Sequence, residues 1–386
     1  MGRTFITTRA EAERAFLVGV DARSMGDCWS IESSLEELSS LARTAGAEVV
    51  GTLSQKLERP SPTYYLGKGK LEELLKLEEH HRCDVVIFND ELLPRQQRNL
   101  EELLKVKVID RTALILDIFA GRAQTREGQL QVELAQHQYL LPRLAGQWSH
   151  LERLGGGIGT RGPGESQLET DRRIIRNKIH NLKTQLEAVK RHRSLYRERR
   201  KRSHIPVVAL VGYTNAGKST LLNTLSKAGV MTENKLFCTL DPVTRRLILP
   251  DKRQFLLTDT VGFIHRLPPS IVAAFRSTLE ELADADLLLH IVDITHRDAA
   301  EQCRTVEGIL ADLHLDAKPR ITVLSKMDLA VGSTEDLASL SLSLRQPDEV
   351  IVSVSASKGW GLDRLLDKIA VCLGSGTSFA LTTGDS

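Results

Sequence analysis

The first third of the chain alternates short apolar runs with amphipathic stretches. The apolar runs predict strands at residues 15–20, 48–52, 84–88 and 106–109. The amphipathic stretches predict helices at residues 33–45, 71–81, 94–105 and 112–120. The first of these helices carries Ser34 and Glu37 at the spacing of a capping box. Because strand–helix alternation is typical of parallel sheets, we predict a small α/β domain over residues 1–121.

The middle of the chain changes to a 4-3-4-3 apolar spacing, which is typical of paired helices. The apolar seams lie at Leu130, Leu134, His137, Leu141, Leu144, Trp148 and Leu151, and then at Leu168, Ile175, Ile179, Leu182, Leu186, Val189 and Tyr196. Between the seams, residues 155–164 contain six glycines, a composition that supports neither helix nor strand. We therefore predict an antiparallel helical hairpin over residues 122–204, tipped by this glycine-rich loop.

Positive charge is concentrated in the second helix of this hairpin. The whole chain has a net charge of +2, from 52 Lys and Arg against 50 Asp and Glu. Residues 172–202 alone hold thirteen Lys or Arg and two acids, Glu187 and Glu198. Such a run is ordinarily a solvated helix face, but the acids that would pair with it at i, i+4 are missing here. The pattern favours binding to a polyanion, which offsets the self-repulsion.

The remainder of the chain returns to strand–helix alternation. Apolar runs predict strands at residues 207–211, 246–249, 255–257, 287–292, 321–324 and 350–354. We assign a second α/β domain to residues 205–373 on this pattern. Residues 374–386 are small and polar and predict a flexible tail.

A phosphate-binding loop follows the first strand of this second domain. Residues 212–219 read Gly-Tyr-Thr-Asn-Ala-Gly-Lys-Ser, which fits G-x-x-x-x-G-K-[ST], and an amphipathic helix continues from them. The glycines let backbone N–H groups surround phosphate oxygens. Lys218 places a cation against the β and γ phosphates, and the Ser219 hydroxyl is a hard oxygen ligand for Mg²⁺. With strand and helix both in place, a chance match is disfavoured.

Later motifs indicate a guanine nucleotide. Residues 259–262 match D-x-x-G, in which the Asp holds Mg²⁺ through water and the Gly N–H touches the γ-phosphate. Thr239 is the candidate second Mg²⁺ ligand, from a switch loop ordered by the γ-phosphate. Residues 325–328 resemble N-K-x-D, in which Asp328 accepts from guanine N1–H and N2–H₂. Residues 355–357 resemble the S-A-K loop over the base.

The predicted nucleotide site combines the phosphate loop, the switch segments and the base loops. Its residues are Gly212, Tyr213, Thr214, Asn215, Ala216, Gly217, Lys218, Ser219, Phe237, Cys238, Thr239, Leu240, Asp241, Asp259, Thr260, Val261, Gly262, Ser325, Lys326, Met327, Asp328, Ser355, Ala356 and Ser357. Among them we assign catalytic roles to Lys218, Thr239 and Gly262. We assign metal ligation to Ser219 and Thr239.

Two serines depart from the common guanine-binding pattern. Ser325 replaces an Asn that bonds the base and braces the phosphate loop, which should weaken guanine affinity by about 1 kcal/mol. Ser357 replaces a Lys, although Lys358 is adjacent. Because Asp328 remains, we expect GTP to be preferred over ATP with reduced selectivity. The alternative is a binding switch or RNA-remodelling factor in which ATP serves as well as GTP.

The residue after the D-x-x-G motif predicts slow hydrolysis by the isolated chain. Phe263 stands where Ras-like GTPases carry a glutamine that orients the attacking water, and a phenyl ring cannot do this. A partner or another internal group must therefore complete the site. Asn215 admits two interpretations, a ligand that helps to coordinate K⁺ or an amide that braces the loop.

Composition excludes several classes of protein. The five cysteines are scattered singly and form no C-x-x-C pair, which disfavours a disulfide framework and a structural zinc site. No apolar run approaches the length of a membrane span, and the first twenty residues lack an apolar signal core. We expect a cytoplasmic protein.

One long signature resembles that of the HflX family of ribosome-associated GTPases. It runs from Leu151 through the glycine-rich loop to Arg173. Residues 237–241 with 259–263, and residues 64–70 in the first domain, are similar to other segments of the same family. The resemblance covers about residues 15–373, and it implies a Ras-like GTPase domain behind the other two parts.

The resemblance also implies a function. Members of such a family bind the large ribosomal subunit, hydrolyse GTP under ribosomal stimulation and split stalled or stress-inactivated ribosomes. A slim basic hairpin with a glycine-rich tip suits insertion into an rRNA cleft, where backbone and shape are read. We expect a monomer whose rRNA contacts are Arg153, Arg161, Arg172, Arg173, Arg191, Arg193, Arg199 and Arg200. Ribosome assembly is the alternative role.

Overall fold

The computed structural model describes residues 12–22, 29–147, 163–202, 205–226, 236–237, 239–268, 271, 282–330 and 350–374. Within helix residues 145–147, 163–168, 190 and 192–202, the backbone alone is described. Arg153, Arg161, Cys238, residues 155–162 of the loop and residues 375–386 of the tail therefore lie outside the described residues, as do the side chains of Arg193, Arg199 and Arg200. Predictions about them stay predictions.

Contacts divide the chain into two compact units. The first comprises residues 1–121 and 132–182, and the second comprises residues 122–131 and 183–386. The boundaries after residues 131 and 182 fall inside the two long central helices, which each belong partly to one unit and partly to the other.

The N-terminal region forms a four-stranded sheet in the order β2-β1-β3-β4, with every neighbouring pair parallel. Its elements are β1 (Arg14–Ala22), α1 (Ile31–Thr44), β2 (Glu48–Leu57), α2 (Lys68–His81), β3 (Val85–Phe88), α3 (Pro94–Leu104), β4 (Lys107–Asp110) and α4 (Arg111–Arg122). All four residues of β3 are buried, as a strand covered on both faces requires. The predicted α/β fold is confirmed.

The start of α1 differs from the prediction. The helix begins at Ile31, and the side chain of Ser30 caps it by accepting a hydrogen bond from the Ser33 N–H at 3.0 Å. Ser34 therefore lies within the first turn, where its own N–H donates to the Ser30 carbonyl. The capping box at Ser34 and Glu37 is wrong, because a serine three residues before Ser33 already satisfies that turn.

The central region consists of two helices, α5 (Arg126–Gln147) and α6 (Pro163–Arg202). Arg126 donates to the Gln185 side chain at 2.8 Å, and Lys178 lies 2.7 Å from the Glu133 carboxylate. Partners ascend along one helix as they descend along the other, so the pair is antiparallel as predicted. The predicted loop extends too far, because Pro163 already starts α6; proline is favoured at that first helical position.

The C-terminal region forms a six-stranded sheet in the order β10-β9-β8-β5-β7-β6. Its elements are β5 (Val207–Gly212), α7 (Lys218–Ser226), β6 (Val243–Ile248), β7 (Gln254–Asp259), β8 (Leu287–Asp293), α8 (Ala299–Asp312), β9 (Arg320–Ser325), β10 (Ile351–Ser353) and α9 (Leu362–Gly374). Only the edge strand β6 runs antiparallel among these described strands. The carboxyl ends of β5, β7, β8 and β9 meet at one edge of the sheet, which is where open α/β sheets bind ligands.

Candidate functional site: a nucleotide pocket at the strand ends

The phosphate loop lies between β5 and α7, in the local context that its motif requires. Asn215 and Gly217 both have positive φ, at 62° and 99°, so the backbone turns sharply before the helix begins. Asn215 is exposed, whereas Ala216 beside it is buried. A loop of this shape, opening at the N-terminus of a helix, presents backbone N–H groups to an anion.

Lys218 is buried beneath this loop. Its ammonium group donates to the carbonyls of Gly212, at 3.1 Å, and Tyr213, at 2.7 Å. These contacts hold the side chain along the inner side of the loop, with the cation close to where a nucleotide would place its β and γ phosphates.

Three oxygen-bearing side chains meet beside the lysine. The hydroxyls of Ser219 and Thr239 lie 2.8 Å apart, and they donate to Asp259 Oδ2 at 2.6 and 2.7 Å. Each comes from a different element: α7, the segment before β6, and the end of β7. The two predicted metal ligands are thus brought together with the D-x-x-G carboxylate.

The chemistry of this group fits a magnesium ion. Hard oxygen donors are what Mg²⁺ prefers, and the second carboxylate oxygen of Asp259 is buried and accepts no hydrogen bond from the described residues. Burial raises the pKa of Asp259, against the opposing charge of Lys218 and the two hydroxyl hydrogen bonds. A bound divalent cation would keep the carboxyl ionised.

Gly262 lies directly against the phosphate loop. A Cβ at this position would come within 2.9 Å of both Lys218 Nζ and Thr214 Cα, so only glycine fits. The close approach brings the D-x-x-G backbone to the point where a γ-phosphate would sit. This is the placement that a γ-phosphate sensor needs.

The residue after Gly262 is part of the scaffold. The Phe263 side chain is buried, its N–H donates to the Gly212 carbonyl at 3.1 Å, and its carbonyl accepts from the Thr214 N–H at 2.7 Å. The loop is fastened again where the His265 N–H donates to the Tyr213 hydroxyl at 2.7 Å. The Phe263 backbone therefore joins the D-x-x-G segment to the phosphate loop. Its side chain offers no group to orient a water.

The base end of the site begins with Ser325. Its hydroxyl lies 2.6 Å from the Ala216 carbonyl and 3.0 Å from the Val292 carbonyl, and it is buried. The serine therefore keeps the loop-bracing contact of the usual asparagine, while its hydroxyl is turned to the backbone. The reduced guanine affinity expected from the serine stays a prediction.

Asp328 is held by the serines of the last base loop. Ser355 donates to one carboxylate oxygen at 2.7 Å, and Ser357 donates to the other at 3.0 Å. Burial acts to raise the pKa of Asp328, but these hydrogen bonds and the nearby charge of Lys358 outweigh it and lower the pKa below its ordinary value. The carboxylate is thus kept ionised, as an acceptor for guanine N–H groups must be.

Two supports of the base loops were missed by the sequence analysis. Lys326 forms an ion pair of 2.7 Å with Asp293, at the end of β8. The Thr224 hydroxyl on α7 donates to the Ala356 carbonyl at 3.0 Å. Asp293 is the residue that follows a predicted buried strand at the ligand-binding edge, and that position was the available signal.

Several predicted nucleotide-site residues serve packing in the structure. Leu240, Val261, Met327 and Phe237 are buried, and the Thr260 hydroxyl donates to the Leu210 carbonyl at 2.6 Å. The carboxylate of Asp241 accepts hydrogen bonds from the segment before α5. Their direct contact with a nucleotide stays a prediction.

The described part of α6 presents its cations outward. Arg173, Lys183 and Arg191 are exposed and Arg172 is half-buried, whereas Leu182 on the opposite seam is buried. None of the helices in the described part of the chain is both long and apolar enough to cross a membrane.

Three family models match consecutive parts of the chain. They are described as GTP-binding GTPase N-terminal (residues 32–120), GTP-binding GTPase Middle Region (residues 122–200) and 50S ribosome-binding GTPase (residues 207–326). The GTPase HflX of Caldanaerobacter subterraneus subsp. tengcongensis is 52% identical over 363 residues, which cover 93% of this chain and 80% of that protein. The chain belongs to the HflX family of GTPases.

Another HflX relative and one solved structure are also similar to the chain. The GTPase HflX of Alkalihalophilus pseudofirmus is 54% identical over 87% of this chain and 83% of its own length. A GTP-binding protein from Sulfolobus solfataricus in complex with GDP is 26% identical, covers 95% of this chain and 100% of its own, and has a TM-score of 0.46.

The geometry accounts for the GTPase activity of this HflX-family chain. With a nucleotide bound, Lys218 and the loop N–H groups would stabilise charge on the transferring phosphoryl group. Gly262 would let the switch backbone approach it, and Asp328 would select the base. Because Phe263 supplies no polar group, the described residues position the phosphates better than they position the attacking water.

Proposed function

We propose that this HflX-family GTPase binds the large ribosomal subunit and uses GTP hydrolysis to drive dissociation of stalled or stress-inactivated ribosomes in the cytoplasm. The proposal combines two features of one chain. The first is a candidate nucleotide site in which Ser219, Thr239 and Asp259 meet beside Lys218. The second is a helical hairpin whose second helix has a large excess of positive charge.

The outward cationic face of α6 is the observation that carries the ribosome part of the proposal. Leu182 on the apolar seam of the helix is buried, whereas Arg173 and Arg176 are exposed and can meet an external ligand. Phosphate backbones bind such faces through charge neutralisation and counterion release. The description of the matching GTPase model as 50S ribosome-binding supports rRNA as that polyanion.

Hydrolysis in this proposal depends on Mg²⁺ and is accelerated by the ribosome. Ser219, Thr239 and Asp259 would hold the ion, which would neutralise charge on the β and γ phosphates. Asn215 is exposed at the phosphate loop, where its amide oxygen is available to a K⁺ ion. Because Phe263 cannot orient water, a ribosomal group or K⁺ would complete the site. A monomer is sufficient for all of these steps.

A second candidate is a ribosome-assembly or RNA-remodelling switch that accepts ATP as well as GTP. Ser325 favours it, because the hydroxyl that replaces the usual asparagine amide is turned to backbone carbonyls. Competition between GDP and ADP for the purified protein separates the two. Equal affinities would support the second candidate, and a strong preference for GDP would support the first.

Co-sedimentation with purified large ribosomal subunits tests the proposal. We expect binding with a non-hydrolysable GTP analogue and weaker binding with GDP. Changing Arg172, Arg173 and Arg176 to Gln should weaken binding about tenfold or more at physiological salt and flatten its salt dependence. The matched control changes Arg245, Arg246 and Arg304, which are also exposed, to Gln. Equal losses in both variants would contradict a specific role of α6.

A further inference from the structure

Asp241 makes a set of contacts that nucleotide binding does not explain. Its carboxylate oxygen Oδ2 accepts the N–H groups of Gln124 and Thr125, each at 2.8 Å. Its other oxygen accepts the Thr125 hydroxyl. All three residues lie in the same compact unit, although Asp241 is more than a hundred positions from the other two in the chain.

Thr125 is also the residue that caps α5. Its hydroxyl accepts the Gly128 N–H at 3.0 Å, and its carbonyl accepts the Gln129 N–H at 3.0 Å. The Asp241 carboxylate therefore sits at the N-terminus of a 22-residue helix, where a negative charge is stabilised. Asp241, in the switch segment of residues 239–243, therefore supplies the negative charge at the N-terminus of α5.

The switch segment is fixed to the metal group on the other side of Asp241. Thr239, two residues earlier, donates to Asp259 at 2.7 Å, and Leu240 between them is buried. Two residues later, Val243 pairs with Asp259 in the β6–β7 register. The segment thus joins the metal carboxylate to the start of α5 over five residues, so a displacement at one end is transmitted to the other.

We propose that Thr125 is a positioning residue for GTP hydrolysis, which acts through Asp241 to hold Thr239 in the metal group. With GTP and Mg²⁺ present, Thr239 is a metal ligand and Asp241 stays on Thr125. After the γ-phosphate leaves, Thr239 no longer ligates the metal, and the contact of Asp241 with Thr125 loosens. The coupling is reciprocal. If bound GTP changes the affinity of the protein for a partner at the start of α5 by some factor, that partner changes the affinity for GTP by the same factor.

Gly128 gives the contact a steric signature. A Cβ added there would collide with Asp241 and come within 3.2 Å of the Thr125 hydroxyl. Gly to Ala within a helix ordinarily stabilises the helix. At this position the same change should displace Asp241. It should therefore stabilise the helix and weaken metal binding.

The variants that test the proposal separate the hydroxyl from the shape of the side chain. Thr125→Val keeps the shape and removes the hydroxyl, whereas Thr125→Ser keeps the hydroxyl. Gly128→Ala displaces Asp241 and leaves Thr125 and Asp241 themselves unmutated. Gly308→Ala is the matched control, because a Cβ at this position of α8 meets no described atom within 4 Å.

The first measurement is the Mg²⁺ concentration that gives half-maximal single-turnover GTP hydrolysis by the intact protein without ribosomes. Loss of the hydroxyl or displacement of Asp241 should raise it about fivefold or more in Thr125→Val and Gly128→Ala. Thr125→Ser and Gly308→Ala should stay within about twofold of the wild type, and so should GDP affinity in all four variants. An unchanged Mg²⁺ requirement in Thr125→Val and Gly128→Ala would overturn the proposal.

The second measurement is amide hydrogen exchange of residues 124–129, which reports on the contact itself. In the wild type these amides should exchange more slowly with Mg²⁺ and a non-hydrolysable GTP analogue than with GDP. Equal exchange in the two states would show a static helix cap and overturn the proposal, even if a variant fails to fold. Neither measurement involves the ribosome, so the result is independent of the function proposed above.

Discussion

At the scale of single residues, three serines lie at the predicted base-binding end of the nucleotide site. Ser325 braces the phosphate loop through the Ala216 carbonyl, and Ser355 and Ser357 hold the two oxygens of Asp328. The loop brace and the base contact, which one asparagine usually provides together, are thus separated. We expect guanine recognition to rest on Asp328, whose carboxylate Ser355 and Ser357 hold in place.

Ser357→Ala is expected to weaken GDP binding about fivefold, because one hydrogen bond to the base-reading carboxylate is lost. IDP, which lacks the 2-amino group that Asp328 also accepts, should lose less affinity than GDP. The measurement is a titration of both nucleotides by fluorescence competition. The ratio of the GDP and IDP affinities is therefore the quantity that should change.

Ser325→Ala is the matched control for this prediction. Loss of the Ser325 hydroxyl releases the phosphate loop and should weaken the affinities for GDP and IDP by the same factor. A changed ratio of the GDP and IDP affinities in Ser325→Ala, or an unchanged ratio in Ser357→Ala, would contradict the role of Ser357 in base recognition through Asp328.

At the scale of elements, the periodic patterns predicted most of the fold, and their limits have physical causes. The buried strands β3 and β8 were recognisable because both faces are covered, which leaves an uninterrupted apolar run. β2 extends to Leu57, five residues past its predicted end, because the strand alternates exposed and buried residues beyond Thr52. The edge strand β6 begins at Val243, earlier than predicted. The exposed Arg245 and Arg246 interrupt its apolar pattern, so the pattern does not show where the strand begins.

The site was predictable wherever a motif fixes the chemistry, and unpredictable where contacts cross the chain. Ser219, Thr239 and Asp259 were placed together by motif spacing alone. The contact of Asp241 with Thr125 joins segments that no local pattern relates. The same is true of the ion pair between Lys326 and Asp293, which depends on the order of the strands in the sheet.

His290 in the middle of β8 gives the C-terminal sheet a pH dependence. Burial, together with the charges of Arg320 on β9 and Lys218 on α7, lowers its pKa from 6.5 to about 4. Between these values the unfolded chain binds a proton that the folded chain does not, so stability falls as the pH falls. The loss approaches ~3 kcal/mol at pH 4.

The measurement is thermal unfolding between pH 7 and pH 4.5. His290→Leu should flatten the fall of the transition midpoint, because the titrating group is gone. The same change at the exposed His80 on α2 should retain the wild-type dependence. An identical pH dependence of His290→Leu and the wild type would contradict this role.

At the scale of the whole molecule, a GTPase domain of the HflX family is continuous in sequence with a basic helical hairpin. The segment from Thr239 to Val243 connects the metal group with the first turn of α5, and α6 carries the cations proposed to meet rRNA. Position 263 is a phenylalanine, so we expect the site to hold GTP without a side chain there that orients the water. A nucleotide site of this kind suits a protein that hydrolyses GTP only on its target.

The rate of GTP hydrolysis with and without purified large ribosomal subunits tests this account most directly. We predict a slow basal rate that the subunits raise at least about tenfold, since an oriented catalytic group contributes that much or more. The stimulation should be lost when Arg172, Arg173 and Arg176 are changed to Gln, and all hydrolysis should be lost in Lys218→Ala. A basal rate that is already fast, or one that large subunits leave unchanged, would contradict the account.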